Sequence, residues 1–389
     1  MKIPIKKKNI LSESFCALTC VYYTLKGWKY ATRGLEIILM VAVFCALALL
    51  VKKCKLYMCV YAVPIVTIVA YKLSLGSDTR PLIDLLAVFV GTTVPFEQIA
   101  KWLLKVKCIT FVLAFMIGGY IHLNYLSMNI GVIMALVLYV YYPRNRRKAL
   151  FFGLMILIVG TLISKSGSMV ICGGILLLLY AGQTIAIERK VLLSHVMYFM
   201  FPLTLILNWL LAALYAKYGY GSQKYALLLS PILDKYSVET LCILNRLNRF
   251  LSGRINLAAF SLEKFGTSFW GGNIDYTVET GLPYFLVDSG MILLLQNWGL
   301  LITLVSMFVW IFLMRNLVKK KNIRLIISAI MIALWSFNED TLMSVGTNFL
   351  FYAIGNELVD FYKRKKTSNE DYRFIYEVGR LTIKSQDPK

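Results

Sequence analysis

Residues 34–51 read GLEIILMVAVFCALALLV, eighteen positions with one charge, Glu36. A helix rises about 1.5 Å per residue and a bilayer's hydrocarbon core is about 30 Å thick, so such a run spans or nearly spans it. Similar runs follow at 56–73, 82–99, 104–121, 126–142, 149–164, 168–187 and 191–215, then at 284–314, 323–337 and 345–362. The chain of 389 residues is 59% hydrophobic, 14% aromatic and only 16% charged, with a mean hydropathy of +0.68. Soluble domains hold about 25% charged residues, and no water-facing surface absorbs this apolar surplus. The composition therefore excludes a soluble enzyme, a disordered chain and a disulfide-rich secreted domain. It leaves an all-α, polytopic integral membrane protein.

The charge sets the topology. A formal net charge of +22 would suit a nucleic-acid binder, but the basic residues fall in short bursts between apolar runs, as in loops held on the cytoplasmic side. Eleven runs would put Lys6-Lys7-Lys8 and Lys363-Arg364-Lys365-Lys366 on opposite sides. The conflict disappears if 10–26, interrupted by Glu13, is a further, weaker span. Twelve spans with both termini cytoplasmic then leave most of the 42 basic residues inside. An uncleaved first helix is preferred to a signal peptide, because Glu13 breaks the apolar stretch and Ala17-Leu18-Thr19-Cys20 is a poor cleavage site. The eight cysteines form no Cys-x-x-Cys pair, and His122 and His195 stand far apart without ligand-type neighbours. No disulfide framework, metal site or cofactor is expected.

Loops are short except 216–282, which this topology places outside, and 363–389 reads as a solvated cytoplasmic tail. Within the long loop, Leu241, Leu244, Leu247 and Leu251 recur at helical spacing, with Glu239, Asn245, Arg246, Asn248 and Arg249 on the other side. This is an amphipathic helix suited to a membrane surface, and a plain interfacial helix without ligand has the same pattern. Next, Ser252 reads as an N-cap and Gly266 as a stop, which predicts a short helix over about 253–265 with Arg254 in its first turn. Exposed amides, the positive helix end and a guanidinium would meet there, an arrangement that suits phosphate or pyrophosphate. The same arginine also suits a local carboxylate or a lipid headgroup. Trp270, between Phe269 and Gly271-Gly272-Asn273, suits a sugar face or an interface anchor equally.

Other ionisable residues fall at the same face. Arg80 and Asp84 are four apart and able to pair on one helix. Lys165 sits in the turn Ser164-Lys165-Ser166-Gly167, Asp288 lies near the start of a late span, and Glu339 and Asp340 lie at a loop tip. Ionisable groups at membrane depth are expensive and usually functional. Glu339 and Asp340 read instead as ordinary interfacial residues.

NRFLSGRINLAAFSLEKFG at 248–266, followed by VDSGMILLLQNWGLL at 287–301, resembles the Wzy-type polysaccharide polymerases of capsule, exopolysaccharide and O-antigen pathways. The shared features are Ser252-Gly253-Arg254 opening a short helix that ends in Gly, then an acidic residue opening a leucine-rich helix with a later Gly. Many spans and a large late external loop agree. Lys165 stands where related proteins often carry arginine, and Asp288 where ligases tend to place histidine, which favours polymerase over ligase.

The resemblance implies metal-independent glycosyl transfer on the outer face of the cytoplasmic membrane. The donor is a glycan on undecaprenyl pyrophosphate, and the acceptor is another undecaprenyl-pyrophosphate-linked oligosaccharide repeat. It implies Arg254, Arg80 and Asp288 as catalytic residues, with Lys165, Arg246, Arg249, Ser252, Gly253 and Trp270 binding substrate. Besides membrane lipid, implied partners are a chain-length regulator and a flippase, and no nucleic acid. An O-antigen-ligase-like transferase or a lipid-linked oligosaccharide flippase remains the alternative. A major-facilitator transporter fits poorly, because 143–148 is too short for its central connection and Lys52-Lys53-Cys54-Lys55 lacks its acidic–basic loop motif.

Overall fold

The computed structural model describes residues 9–25, 34–53, 70, 80–117, 123–183, 195–222, 237–272, 274, 289–337, 339–340, 342 and 344–363. Among these, all regular structure is helical. In chain order the helices are α1 (Ile10–Leu25), α2 (Gly34–Lys53), α3 (Arg80–Gly91), α4 (Phe96–Ile117), α5 (Leu123–Tyr141), α6 (Arg146–Ser164), α7 (Gly167–Ala181), α8 (Met200–Tyr220), α9 (Ser237–Phe250) and α10 (Arg254–Phe265). They continue with α11 (Gly290–Lys319), α12 (Ile323–Ser336) and α13 (350–363). A 3₁₀ turn, His195–Phe199, leads into α8.

Four described helices are long and apolar enough to cross a bilayer: Gly34–Lys52, Arg146–Ser164, His195–Tyr220 and Gly290–Lys319. Outward faces are apolar on these helices and on α4 and α7 as well. Phe44, Met116, Leu162, Leu178 and Phe308 are all exposed, a distribution that water does not tolerate over so wide a surface. The chain is a helical membrane protein.

The sequence expectation and the structure part company around residue 92. The stretch 82–99 reads as one span despite Asp84 and Glu97, yet α3 ends at Gly91 and α4 restarts at Phe96. Pro95 supplies the reason, since proline pushes the residue before it out of helical geometry and has no N–H to give. Thr92 and Thr93 close the turn by donating hydroxyl hydrogen bonds to the carbonyls of Phe89 and Val90 at 2.7 and 2.8 Å. The turn expected between 99 and 104 is therefore continuous helix. The last helix is displaced as well, because 345–347 is a turn and α13 begins at 350.

One extended core joins α1, α3, α4, α5, α7, α11, α12 and α13. Trp335 is its largest fully buried side chain. Its ring lies across Gly131 of α5 so closely that a Cβ there would fall 1.3 Å from the ring carbon Cη2. α1 carries polar residues inward: Ser12, Thr19 and Thr24 are buried, and Thr19 and Thr24 donate back to the carbonyls of Phe15 and Cys20 at 2.7 and 2.6 Å. Without water, a buried hydroxyl needs such a partner.

α6 and α7 form a tight antiparallel pair joined at 165–166, and α7 shares both of its ends with α12. At one end the Tyr180 hydroxyl donates to the carbonyl of Arg324, and at the other Ser168 meets Glu339. The first end is basic. Arg146 donates to the carbonyl of Ala181, and Arg324 pairs with Glu97 at 3.1 Å and donates to the carbonyl of Tyr139. Lys320 pairs with Glu357 and Asp360 at 2.7 and 2.6 Å. The second end holds the site.

A smaller cluster fixes α10. Ala212, Ala213 and Ala216 of α8 face Ala258, Ala259 and Leu262 of α10, with Ile292 beneath. Small side chains let two helix backbones approach closely, the usual way helices pack where apolar burial gives no selectivity. This alanine seam points the first turn of α10, and so Arg254, toward the end of α12.

Candidate functional site

Glu339 follows α12 in a turn, its N–H bonded to the carbonyl of Trp335 at 2.9 Å. Its side chain is 1% exposed and its Oε1 accepts two hydrogen bonds: one from Arg254 Nη2 at 2.8 Å and one from Ser168 Oγ at 2.7 Å. Ser168 in turn lies 2.7 Å from the hydroxyl of Ser166. Three segments distant in sequence thus meet on one carboxylate oxygen. A fourth arrives through the backbone, because Gly290 N–H donates to the carbonyl of Glu339 at 3.2 Å. A Cβ on Gly290 would sit 3.0 Å from that carbonyl oxygen and 3.3 Å from Leu342 Cβ, so a larger residue at the start of α11 would crowd the turn.

A narrow cleft opens beside the pair, lined among others by Asn208, Leu251, Arg254, Ser289 and Phe337. Asn208 donates to the carbonyl of Phe337 at 2.7 Å, which ties α8 to the turn carrying Glu339. The Arg254 side chain, 12% exposed, forms one wall. A guanidinium has five donors in a rigid fork, and Glu339 takes one of them at Nη2. The cleft therefore presents a cation, hydroxyl and amide side chains and an adjacent buried carboxylate. That set can hold an anion while a proton moves to or from a carboxylate.

Two further groups hold the polypeptide that follows Glu339. Asp84 of α3, 3% exposed, accepts from the N–H of Val345 at 2.8 Å. Lys107 of α4, 1% exposed, donates to the carbonyl of Gly346 at 3.1 Å and to the Thr24 hydroxyl at 3.4 Å. Asn348 closes the turn by donating to the carbonyl of Leu342 at 2.9 Å. A carboxylate and an ammonium thus grip the backbone of neighbouring residues 345 and 346 in an apolar interior, where charge-assisted hydrogen bonds are strong.

The loop after α10 folds over α11. Gly272 N–H donates to the carbonyl of Gln296, and the amides of Leu300 and Leu301 donate to the carbonyls of Ser268 and Phe269. Gln296 accepts from Ser261 at 2.6 Å and donates to the carbonyl of Gly266 at 3.1 Å. Here α11 widens into a π turn over Leu294–Trp298, a form often found near functional sites. Gly299 (φ 78°) and Gly271 (φ 75°) make the contact possible: a Cβ on Gly299 would lie 2.2 Å from the nitrogen of Gly271.

Of the residues singled out from the sequence, Arg254 lies at the centre. α9 and α10 form where helical spacing expected them, and Gly266 ends α10 with its N–H on the carbonyl of Leu262. Ser252, however, is no N-cap. It has φ 55° and is followed by Gly253 at φ 84°, and Gly253 takes the cap position without a side-chain bond. The left-handed pair lets α9 end and α10 begin within three residues. The side chain of Asn248 does the capping instead, accepting from Asn256 N–H at 2.9 Å. Arg246 and Arg249 are exposed on α9, and Lys165, at φ 48°, is exposed in the turn beside Ser166. Trp270 is half exposed against Phe269, with ring centroids 5.0 Å apart. Asp288 and the side chain of Arg80 lie outside the described residues.

Glu339 is the correction. Read as an ordinary interfacial residue, it is the buried partner of Arg254. Its signal in sequence was only an acidic residue following an apolar run, and its partner is 85 residues away. Among the described residues no group of three or more His, Cys, Asp or Glu side chains is arranged to hold a metal.

Comparison with protein-family models, curated proteins and solved structures finds no match to this chain.

Proposed function

We propose that the protein is a Wzy-type polymerase that joins undecaprenyl-pyrophosphate-linked oligosaccharide repeats on the outer face of the cytoplasmic membrane. The observation that carries this reading is the Arg254–Glu339 pair at the edge of the cleft, with Ser168 on the same carboxylate oxygen. Transfer of a glycan from a lipid pyrophosphate needs a cation where charge develops on the leaving group, and a fixed guanidinium is well matched to it. Arg254 takes that role, with Arg80, Lys165, Arg246 and Arg249 as further cations at the approach. The resemblance assigns Asp288 to the acceptor hydroxyl, and Ser252, Gly253 and Trp270 to substrate binding. The acceptor sugar attacks the anomeric carbon, and undecaprenyl pyrophosphate departs.

In this reading twelve spans cross the membrane, both termini are cytoplasmic and 216–282 is external. The disposition of charge supports it. The end of α6, α7 and α12 that carries Arg146, Arg324 and Lys320 is basic and faces inward by the positive-inside rule. Ser168 and Glu339 are then at the outward end. A flippase for the same lipid shares the membrane location, but does not require a buried acid–base pair beside a cleft.

The test is repeat length in cells whose own copy is deleted. Arg254→Lys keeps a cation beside Glu339 and loses the fork. Expression of the wild type restores a ladder of repeats, whereas Arg254→Lys, present in the membrane at normal level, leaves mainly single repeats outside. A full ladder from Arg254→Lys contradicts the assignment of Arg254, and loss of all external repeats on deletion points to a flippase instead.

A further inference from the structure

We propose that the outer face of α6 seats an anionic phospholipid of the cytoplasmic leaflet, with Arg147 and Lys148 on its phosphate and an apolar lane below them along its acyl chains. Nothing in this seat depends on the chemistry at Arg254.

Helical spacing and two glycines decide which way α6 faces. Gly153 and Gly160 are buried, together with Ala149 and Ser164. A Cβ on Gly153 would sit 3.0 Å from Leu138 of α5 and Leu177 of α7, and one on Gly160 would sit 2.6 Å from Ile130 of α5. That side is pressed against two helices, so the opposite side is turned outward. There Phe151, Phe152, Met155, Ile158, Val159 and Leu162 are all exposed. Steps of three and four residues join them into one lane that starts directly below Arg147 and Lys148. From Lys148 to Leu162 the lane runs about 21 Å at about 1.5 Å per residue, enough to cover the roughly 15 Å of one hydrocarbon leaflet.

The basic head of the lane is not neutralised by the fold. Arg146 is engaged within the bundle, where it donates to the carbonyl of Ala181 and lies 5.8 Å from the centre of the Tyr142 ring. Glu97, Glu357 and Asp360, carboxylates at the same end, pair with Arg324 and Lys320. Arg147 and Lys148 are exposed and pair with no described carboxylate. The side chain of Asn145 accepts from Lys148 N–H at 3.0 Å and so fixes the turn from which both cations project. A guanidinium and an ammonium on adjacent residues suit a phosphodiester. They favour a headgroup of net negative charge over a zwitterionic one, whose own cation repels them. One helix face thus meets phosphate and then hydrocarbon in the order in which a phospholipid presents them.

The experiment uses purified full-length protein in a mild non-ionic detergent, with phosphatidylglycerol as the probe. Phosphatidylcholine and inorganic phosphate are the comparisons, and binding is read by native mass spectrometry and by the melting midpoint. The wild type is expected to bind phosphatidylglycerol at least about tenfold more tightly than phosphatidylcholine, a preference that fades at high salt. Inorganic phosphate leaves the midpoint unchanged, because it fills no part of the lane. Arg147→Gln/Lys148→Gln melts as the wild type does without lipid and loses about 25-fold in affinity for phosphatidylglycerol, about fivefold for each charge removed. Lys319→Gln/Lys321→Gln removes equal charge from the turn between α11 and α12 and changes that affinity by less than about threefold. Phe151→Ala/Phe152→Ala weakens both lipids alike. Equal losses from the two charge variants mark a diffuse basic surface and overturn the seat on α6. Stabilisation by inorganic phosphate alone, or binding indifferent to headgroup charge, overturns it as well.

Discussion

Removing either partner of the Arg254–Glu339 pair should harm the fold far more than removing both. Glu339 is 1% exposed and Arg254 12% exposed, with 2.8 Å between Nη2 and Oε1. Breaking a buried pair from one side costs about 3–5 kcal/mol, because an uncompensated charge stays in the interior. Glu339→Leu removes the carboxylate that Arg254 Nη2 bonds, and Arg254→Met removes the cation from a carboxylate that Ser168 also bonds. Independent sites would bring the double variant down by about 6–10 kcal/mol, the sum of those two losses. Replacing an ion pair by apolar side chains of similar volume is instead often close to neutral. The Arg254→Met/Glu339→Leu protein is therefore expected within about 2 kcal/mol of wild type, a coupling of several kcal/mol. Thermal unfolding of the purified protein in a mild detergent reads this directly. Each single variant melts well below wild type, and the double variant recovers most of the loss. Midpoint shifts that simply add would refute the pairing and with it the geometry of the site.

Four further variants probe the frame around the pair. Gly131→Ala places a methyl 1.3 Å from Trp335 Cη2, whereas Gly174→Ala meets nothing within 4 Å. The first should lower the melting midpoint by an amount equivalent to about 1–3 kcal/mol or more, and the second should leave it unchanged or raise it slightly. Lys107→Met keeps the length and removes the donor to the Gly346 carbonyl. It is expected to cost about 1–3 kcal/mol and to slow chain growth by letting the segment after Glu339 shift, both readable on one preparation. Gly299→Ala forces a Cβ to 2.2 Å from the nitrogen of Gly271 at φ 78°. The 266–272 loop should then lift from α11, seen as faster proteolytic cutting within it.

The helices themselves were written plainly in the chain. Continuous apolar runs locate α2, α6, α8 and α11, and leucine spacing locates α9, because bilayer thickness and helical period act locally. Where local signals conflict, the reading slipped. Hydropathy runs through 82–99, but Pro95 and two threonines that bond back to the carbonyls of residues 89 and 90 divide α3 from α4. Ser252 has the composition of an N-cap, yet the three-residue connection between α9 and α10 uses two left-handed residues and places Gly253 at the cap. Arg254 was recognisable from Ser-Gly-Arg and the helix that follows. Glu339 was not, since nothing within its own segment distinguishes a buried counter-charge from a solvated turn. That identity is made by the alanine seam between α8 and α10, which carries Arg254 to it. Lys107 escaped for the same reason, and Asp84, read from its spacing as a helix partner for Arg80, instead accepts from Val345 N–H; each bonds a peptide group more than 200 residues away.

The most direct measurement supplies purified protein in vesicles with a defined undecaprenyl-pyrophosphate-linked repeat unit and follows product length together with released undecaprenyl pyrophosphate. The account predicts products growing by whole repeats, one lipid pyrophosphate released for each bond formed, and no such growth with Arg254→Lys. A repeat unit that stays single, or that only changes leaflet, would contradict it.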